Sequence, residues 1–82
     1  MTREEIQQEM LQIVGDQLGQ PIEAIDDETT FTSLGADSLD IVEMIMHVEE
    51  KYDIQIEDKD AEECKTFNEF VDMVTRKIGE GK

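Results

Sequence analysis

Positive charge is scarce in this sequence. Of its 82 residues, 22 are Asp or Glu and only seven are Lys or Arg, which gives a formal net charge of −15. Residues 4–50 contain no Lys or Arg, although the same interval contains 13 acidic residues. Nucleic acids and anionic membrane surfaces attract the opposite charge, so neither is expected as a ligand. Basic protein partners are favoured instead, because opposite fields raise the rate of encounter.

Cysteine and long apolar runs are equally rare. Cys64 is the single cysteine, so no disulfide forms within the chain, and we expect a half-buried hydrophobe rather than a reactive thiol. No apolar run approaches the ~20 residues that span a bilayer, so no membrane insertion is predicted. The first ten residues are amphipathic and acidic, unlike a targeting peptide, and we expect a cytoplasmic protein. The length predicts one domain, 1–82, with one modest core, and we expect a monomer.

Three segments have the spacing of amphipathic α-helices. Capping-box pairs, Thr2 with Glu5 and Thr66 with Glu69, predict where the first and last helices begin. Gly79 is predicted to end the last helix. The predicted core faces are Ile6, Met10, Ile13, Val14 and Leu18 in the first helix, Ile41, Met44, Ile45, Val48 and Tyr52 in the second, and Phe67, Phe70, Val71, Val74 and Ile78 in the third.

The connections between these helices are predicted from breakers and isolated apolar residues. Gly19 and Pro21 end the first helix. The long loop after them is predicted to be pinned to the core by Ile22, Ile25, Phe31 and Leu34. Residues 53–57 alternate like a strand, but a single unpaired strand is unstable, so we expect an extended connector with buried isoleucines. Residues 58–63 are predicted to form a short helix. The predicted fold is therefore all-α, a small bundle of three main helices plus one short helix with a long first loop.

The segment LGADSLDIVEMIMHVEEKYD, residues 34–53, combines a helix start with two apolar stripes. Asp37 is a good N-cap. Ser38 follows it at a helix N-terminus, where unpaired N–H groups and a partial positive charge favour a phosphate ester. From the pattern alone, ordinary capping is the simpler explanation of both residues. The second stripe lies roughly 100–160° from Ile41 on the core face; it contains Leu39, Val42 and Met46, and it is bordered by Glu43, Glu49 and Glu50.

The sequence LGADSLDIVEMIM resembles the attachment motif of acyl carrier proteins, in which the serine of D-S-L bears 4′-phosphopantetheine. The resemblance continues through EEKYDIQI and, more loosely, over nearly the whole chain. It implies that Ser38 carries the arm, with Asp37 and Leu39 beside it in the motif. It also implies that a phosphopantetheinyl transferase attaches the arm from coenzyme A, and that acyl groups travel on it as thioesters in fatty-acid biosynthesis. A dedicated carrier for a polyketide or another specialised acyl pathway is the alternative within the family.

The second stripe is predicted to be the partner surface, because exposed apolar residues rimmed by charge mark such surfaces. The predicted partner-binding residues are Leu39, Val42, Glu43, Met46, Glu49 and Glu50, which face acyl-chain-processing enzymes with basic docking patches. We also expect the bundle interior to shelter the acyl chain, because each exposed methylene costs about 0.8 kcal/mol. The predicted lining is Met44, Ile45 and Val48 with Phe31, Leu34, Ile56 and Ile78.

Three other functions are weighed against the same residues. A serine hydrolase needs a base beside Ser38, but the only histidine, His47, lies nine residues along the helix, ~13 Å away. We therefore predict no catalytic residues and a solvent-facing His47. Residues 58–69 place acids at EF-hand spacing, but Glu63 stands where that loop needs glycine, so no metal site is predicted. An acidic interaction or inhibitor protein without a prosthetic group would explain the charge but leave Ser38 without a role.

Overall fold

The computed structural model describes residues 1–80. Among these residues, helix α1 spans Arg3–Leu18, α2 spans Ser38–Tyr52, α3 spans Asp58–Glu63 and α4 spans Phe67–Glu80, and a 3-10 turn, Ile22–Ala24, lies in the first loop. The predicted all-α bundle of three long helices and one short helix is confirmed. Residues 54–57 connect α2 to α3 without helix or strand, as predicted, but Asp53 belongs to the end of α2, where it adopts φ 54°. Of the two isoleucines predicted to be buried in the connector, Ile56 is buried and Ile54 is only partly buried. The strand-like pairing in the described part of the chain is an isolated bridge between Thr30 and Thr66.

The predicted capping boxes form at both helix starts. The Glu5 N–H donates to the Thr2 hydroxyl at 3.2 Å, and the Thr2 N–H donates to the Glu5 carboxylate at 2.9 Å. Thr66 and Glu69 make the same reciprocal pair at 3.2 and 3.0 Å. Because backbone N–H groups stabilise the ionised form, the pKa of Glu5 and the pKa of Glu69 are both lowered. Local sequence chemistry therefore fixes where α1 and α4 begin.

Three glycines behave differently from one another. Gly19 ends α1 in the left-handed region at φ 64°, as predicted. The prediction that Gly79 ends α4 is wrong, because Gly79 does not adopt the positive φ that such an ending needs, and the helix continues to Glu80. The sequence gives no reason for Gly15, but the structure does. A Cβ at this position would lie 2.9 Å from the carbonyl oxygen of Gln20, whose N–H donates back to the Gly15 carbonyl at 3.0 Å.

The core lies where α1 packs against α2 and α4. Its buried side chains are Ile6, Met10, Val14, Ile25, Phe31, Met44, Val48, Ile56, Phe67, Phe70, Val71, Met73 and Val74. The rings of Phe31 and Phe70 meet edge to face, with centroids 5.6 Å apart. In α2 the buried side chains are Met44 and Val48, and the other members of the predicted stripe are only partly buried. The predicted face of α2 is therefore correct, but its centre is rotated toward Met44. In α4 the predicted face omitted Met73.

The first loop is fastened to the core and to the start of α4. Ile25 and Phe31 are buried, and the other two predicted pinning residues are partly buried. The Phe67 N–H donates to the Thr29 carbonyl at 2.8 Å, and the Phe31 N–H donates to the Lys65 carbonyl at 3.2 Å. These bonds hold the loop across the end of the bundle at which α2 begins.

An ion-pair cluster fastens α3 to α4. The Asp60 side chain is almost completely buried, and its carboxylate lies 2.9 Å from Lys77 Nζ and 3.5 Å from an Arg76 guanidinium nitrogen. The hydrogen bond from Lys77 holds the pKa of Asp60 below its usual value. The short helix α3 has few residues of its own to bury, so this pairing helps to fix its position.

Candidate functional site

The start of α2 is a rigid capped turn. Asp37 is the N-cap, and its carboxylate accepts the Asp40 N–H at 2.9 Å while the Asp40 carboxylate accepts the Asp37 N–H at 3.1 Å. Gly35, at φ 82°, supplies the left-handed backbone that brings the loop into this turn. Ser38 is the first helical residue and is exposed. A hydroxyl at this place lies beside N–H groups and a dipole that stabilise a phosphate.

An open cleft of about 780 Å³ adjoins Ser38. The first loop, the first turns of α2, and α3 with the residues after it form its walls. Its buried or half-buried lining is mainly apolar and includes Phe31, Ile41, Ala61 and Cys64. The same four residues also line a small internal cavity of about 10 Å³, together with Met44, Ile45 and Phe70. The cleft therefore leads from the serine toward the core.

The apolar space lies nearer the start of α2 than the sequence indicates. Of the predicted lining, Phe31, Met44 and Ile45 border the internal cavity. Ile56 instead borders a separate groove of about 240 Å³ between α2 and α3. The remaining predicted residues, Val48, Leu34 and Ile78, belong to other parts of the core. The difference arises because Ala61 in α3 and Cys64 after it line the same cleft and internal cavity as Ile41 of α2.

The predicted apolar stripe of α2 faces solvent. The side chains of Leu39, Val42 and Met46 are 63%, 52% and 53% exposed, respectively. Glu50 is exposed near them. Three large apolar side chains that remain this exposed on one helix are available to a partner. We call these three residues the exposed stripe.

Two of the predicted docking carboxylates are engaged within the protein. The Glu43 carboxylate accepts a hydrogen bond from the Gln17 side-chain amide at 2.9 Å. The Glu49 carboxylate accepts the backbone N–H of Ile56 at 2.9 Å. Neither partner was predicted from sequence, because the first contact joins helices across 26 residues and the second depends on how the chain turns after α2. Pairs of this kind carry no periodic signal in a sequence.

The side chains considered for other chemistry lie apart from Ser38 or are unreactive. His47 is exposed, as predicted. Cys64 is half-buried, as predicted, and burial raises the pKa of its thiol to about 11, so the nucleophilic thiolate is scarce at neutral pH. Within residues 1–80, no group of three or more His, Cys, Asp or Glu side chains is arranged to hold a metal ion. No helix in the same range is long and apolar enough to cross a membrane.

Known proteins resemble this chain over nearly its whole length. A family-wide sequence profile described as the phosphopantetheine attachment site matches residues 8–74. An acyl carrier protein of an Exiguobacterium species is 40% identical over 79 residues, which is 95% of this chain and 100% of that protein. The solved acyl carrier protein of Thermotoga maritima superposes with a TM-score of 0.85 at 28% identity and covers 100% of this chain and 96% of that one.

A further solved structure shows the same fold. The hexanoyl form of the acyl carrier protein from the actinorhodin polyketide synthase of Streptomyces coelicolor has a TM-score of 0.75 at 22% identity. It covers 100% of this chain and 95% of its own. At this identity the likeness concerns the fold alone.

A four-helix bundle that matches the attachment-site profile and presents a serine at the start of its second helix is a phosphopantetheine-bearing carrier. The profile match and the 40% identical relative together identify the family: this chain belongs to the acyl carrier proteins. Its prosthetic group is 4′-phosphopantetheine, and its function is to carry acyl groups for the enzymes that process them.

Proposed function

We propose that Ser38 bears the 4′-phosphopantetheine, and that residues 1–82 act as one carrier unit in fatty-acid biosynthesis. The position of Ser38 is the observation that carries this proposal. Its exposed hydroxyl lies at the first residue of α2, within the D-S-L motif and at the edge of the cleft. The only other serine, Ser33, lies in the loop, and its hydroxyl donates to the Thr30 carbonyl at 2.7 Å.

The residues around Ser38 fit the prosthetic group. The helix N-terminus stabilises the phosphate, and the Asp37–Asp40 capping box keeps that terminus in one conformation. When bound, the group supplies a thiol on a flexible arm, which holds an acyl chain as a thioester. On attachment, the Ser38 oxygen bonds to the phosphorus nearest the pantetheine of coenzyme A, the pyrophosphate bond breaks, and adenosine 3′,5′-bisphosphate leaves. In this proposal a base on the phosphopantetheinyl transferase accepts the serine proton.

The proposed partners are the transferase and acyl-chain-processing enzymes with basic docking patches. The exposed stripe supplies apolar contact, and the net charge of −15 steers basic surfaces toward it. We propose that this chain is a carrier of acyl groups and not an enzyme. We also propose that it acts as a monomer in the cytoplasm.

A fatty-acid role is favoured over a polyketide role by the degree of similarity. The relative described simply as an acyl carrier protein is 40% identical, whereas the polyketide-synthase carrier is 22% identical. A specialised acyl pathway stays the second candidate, because the polyketide-synthase carrier has the same bundle and the fold alone does not distinguish the two roles.

Incubation with coenzyme A and a phosphopantetheinyl transferase, followed by intact-mass measurement, tests the proposal. The wild-type protein and Ser33→Ala should each gain one phosphopantetheine, and Ser38→Ala should gain none while keeping its helicity, because Asp37 still caps α2. An adduct on Ser38→Ala would overturn the assignment of the serine. A wild-type protein that stays unmodified would overturn the carrier proposal and favour an acidic interaction protein.

A further inference from the structure

Helix α1 contributes one side chain to the neighbourhood of the attachment serine. Gln17 Nε2 lies 2.9 Å from a Glu43 carboxylate oxygen and 3.5 Å from a carboxylate oxygen of Asp40. Asp40 is also the partner of Asp37 in the capping box, whose two members stand on either side of Ser38 in the sequence. A single amide group therefore connects α1 to two carboxylates in the first two turns of the helix that presents the serine.

The two carboxylates need such a donor if they are to hold one orientation. Asp40 and Glu43 are three residues apart on α2, so they are neighbours on one side of the helix, and their like charges repel. A primary amide has two N–H donors and no charge. Gln17 therefore orders both carboxylates without neutralising them, whereas a lysine or arginine at this position would cancel part of the negative potential beside the serine.

We propose that Gln17 is a positioning residue for docking at the attachment site: it holds Asp40 and Glu43 in the arrangement that basic groups of the transferase recognise. This inference rests on the proposed function. Side chains that are ordered before encounter lose less freedom on binding, so the bound complex lasts longer. Gln17 does not contact the reacting hydroxyl, so its removal should raise KM and leave kcat unchanged.

A purely structural role, in which the amide only joins α1 to α2, predicts different behaviour. Gln17→Met tests the difference, because methionine has a similar length and helix propensity but no N–H donor. Gln12→Met is the matched control, since Gln12 is exposed on the same helix. Glu43→Ala removes the acceptor at the shorter distance and completes a double-mutant cycle.

The experiment measures kcat and KM of transferase loading for each variant, together with the melting temperature. We expect Gln17→Met to raise KM about three- to tenfold with unchanged kcat, and Gln12→Met to match the wild type. In the Glu43→Ala background, the same substitution should raise KM less than about twofold. A lower melting temperature with a wild-type KM, or an equal effect in both backgrounds, would overturn the inference and leave the proposed function intact. Absence of loading in the wild type would overturn both.

Discussion

Glu49 and Glu50 are adjacent acidic residues in the last turn of α2, and the structure predicts that their substitutions have different effects. The Glu49 carboxylate accepts the Ile56 backbone N–H at 2.9 Å, whereas Glu50 is exposed. Glu49→Ala removes that acceptor. Glu50→Ala is the matched control, because both substitutions change helix propensity and the charge near the helix C-terminus in the same way.

The expected difference in stability between the two alanine variants follows from the Ile56 N–H, which Glu49→Ala leaves without its acceptor. An unpaired donor that is shielded from water costs about 1–3 kcal/mol. Ile56 is 8% exposed, so bulk water replaces the carboxylate poorly, and about 1.5 kcal/mol is expected between the two alanine variants. In a domain of this size each kcal/mol shifts the melting temperature by roughly 4–8 °C. Glu49→Ala should therefore melt about 6–12 °C below Glu50→Ala.

Thermal unfolding followed by circular dichroism measures this difference, and transfer to a partner enzyme at low salt measures docking. Glu49→Gln retains a weaker, neutral acceptor and should melt between the wild type and Glu49→Ala. Glu50→Ala should slow transfer and keep the stability of the wild type. Equal melting temperatures for the two alanine variants would show that Glu49 does not hold the Ile56 amide, and the two glutamates would then be equivalent docking charges.

Three further perturbations test the fold and the cleft. Gly15→Ala should lower the melting temperature, because contact of its Cβ with the Gln20 carbonyl costs about 1–3 kcal/mol against a helix-propensity gain of about 1 kcal/mol; a higher melting temperature would refute this. The folded-state pKa of Asp60 is lowered, so its stabilisation is present above about pH 4 and is lost as the pH falls through that lower pKa. Asp60→Asn should therefore weaken the loss of stability at acidic pH. Asp58, exposed in the same helical turn, supplies the control, and Asp58→Asn should leave that loss unchanged. An equal response of both variants would refute the stabilising pair of Asp60 with Lys77. Attachment of a medium-length acyl chain should raise the melting temperature, and Ala61→Leu should remove that rise by filling the cleft; equal melting of acylated and unacylated wild type would place the chain outside the bundle.

The parts of the fold that depend on neighbouring residues were predictable from the sequence. Both capping boxes, the Asp37 cap and the short helix lie where the sequence places them, because their hydrogen bonds join residues three or four positions apart. The exposed stripe was predictable for a similar reason, since helical periodicity separates it from the core face. The location of Ser38 at a helix start follows from the same local chemistry.

The remaining features depend on contacts between distant segments. Position 15 needs glycine because the chain after α1 brings the Gln20 carbonyl close to it. The hydrogen bond of Gln17 depends on how α1 packs against α2, and that of Glu49 depends on the turn after α2. The predicted end at Gly79 failed because a glycine ends a helix only when it adopts the left-handed conformation, which its identity alone does not impose. Periodicity gives the face of a helix, but packing decides which residues of that face lie deepest.

The central claim, that Ser38 bears the arm on which acyl groups travel, is tested most directly by fragmentation mass spectrometry. The protein is loaded from an acyl-coenzyme A by a phosphopantetheinyl transferase, digested, and sequenced before and after treatment with hydroxylamine, which cleaves thioesters. We expect the acyl-phosphopantetheine mass on Ser38, and we expect hydroxylamine to remove the acyl group and leave the arm in place. An adduct on Ser33 or Cys64, or an acyl group bound to the protein without the arm, would contradict the claim.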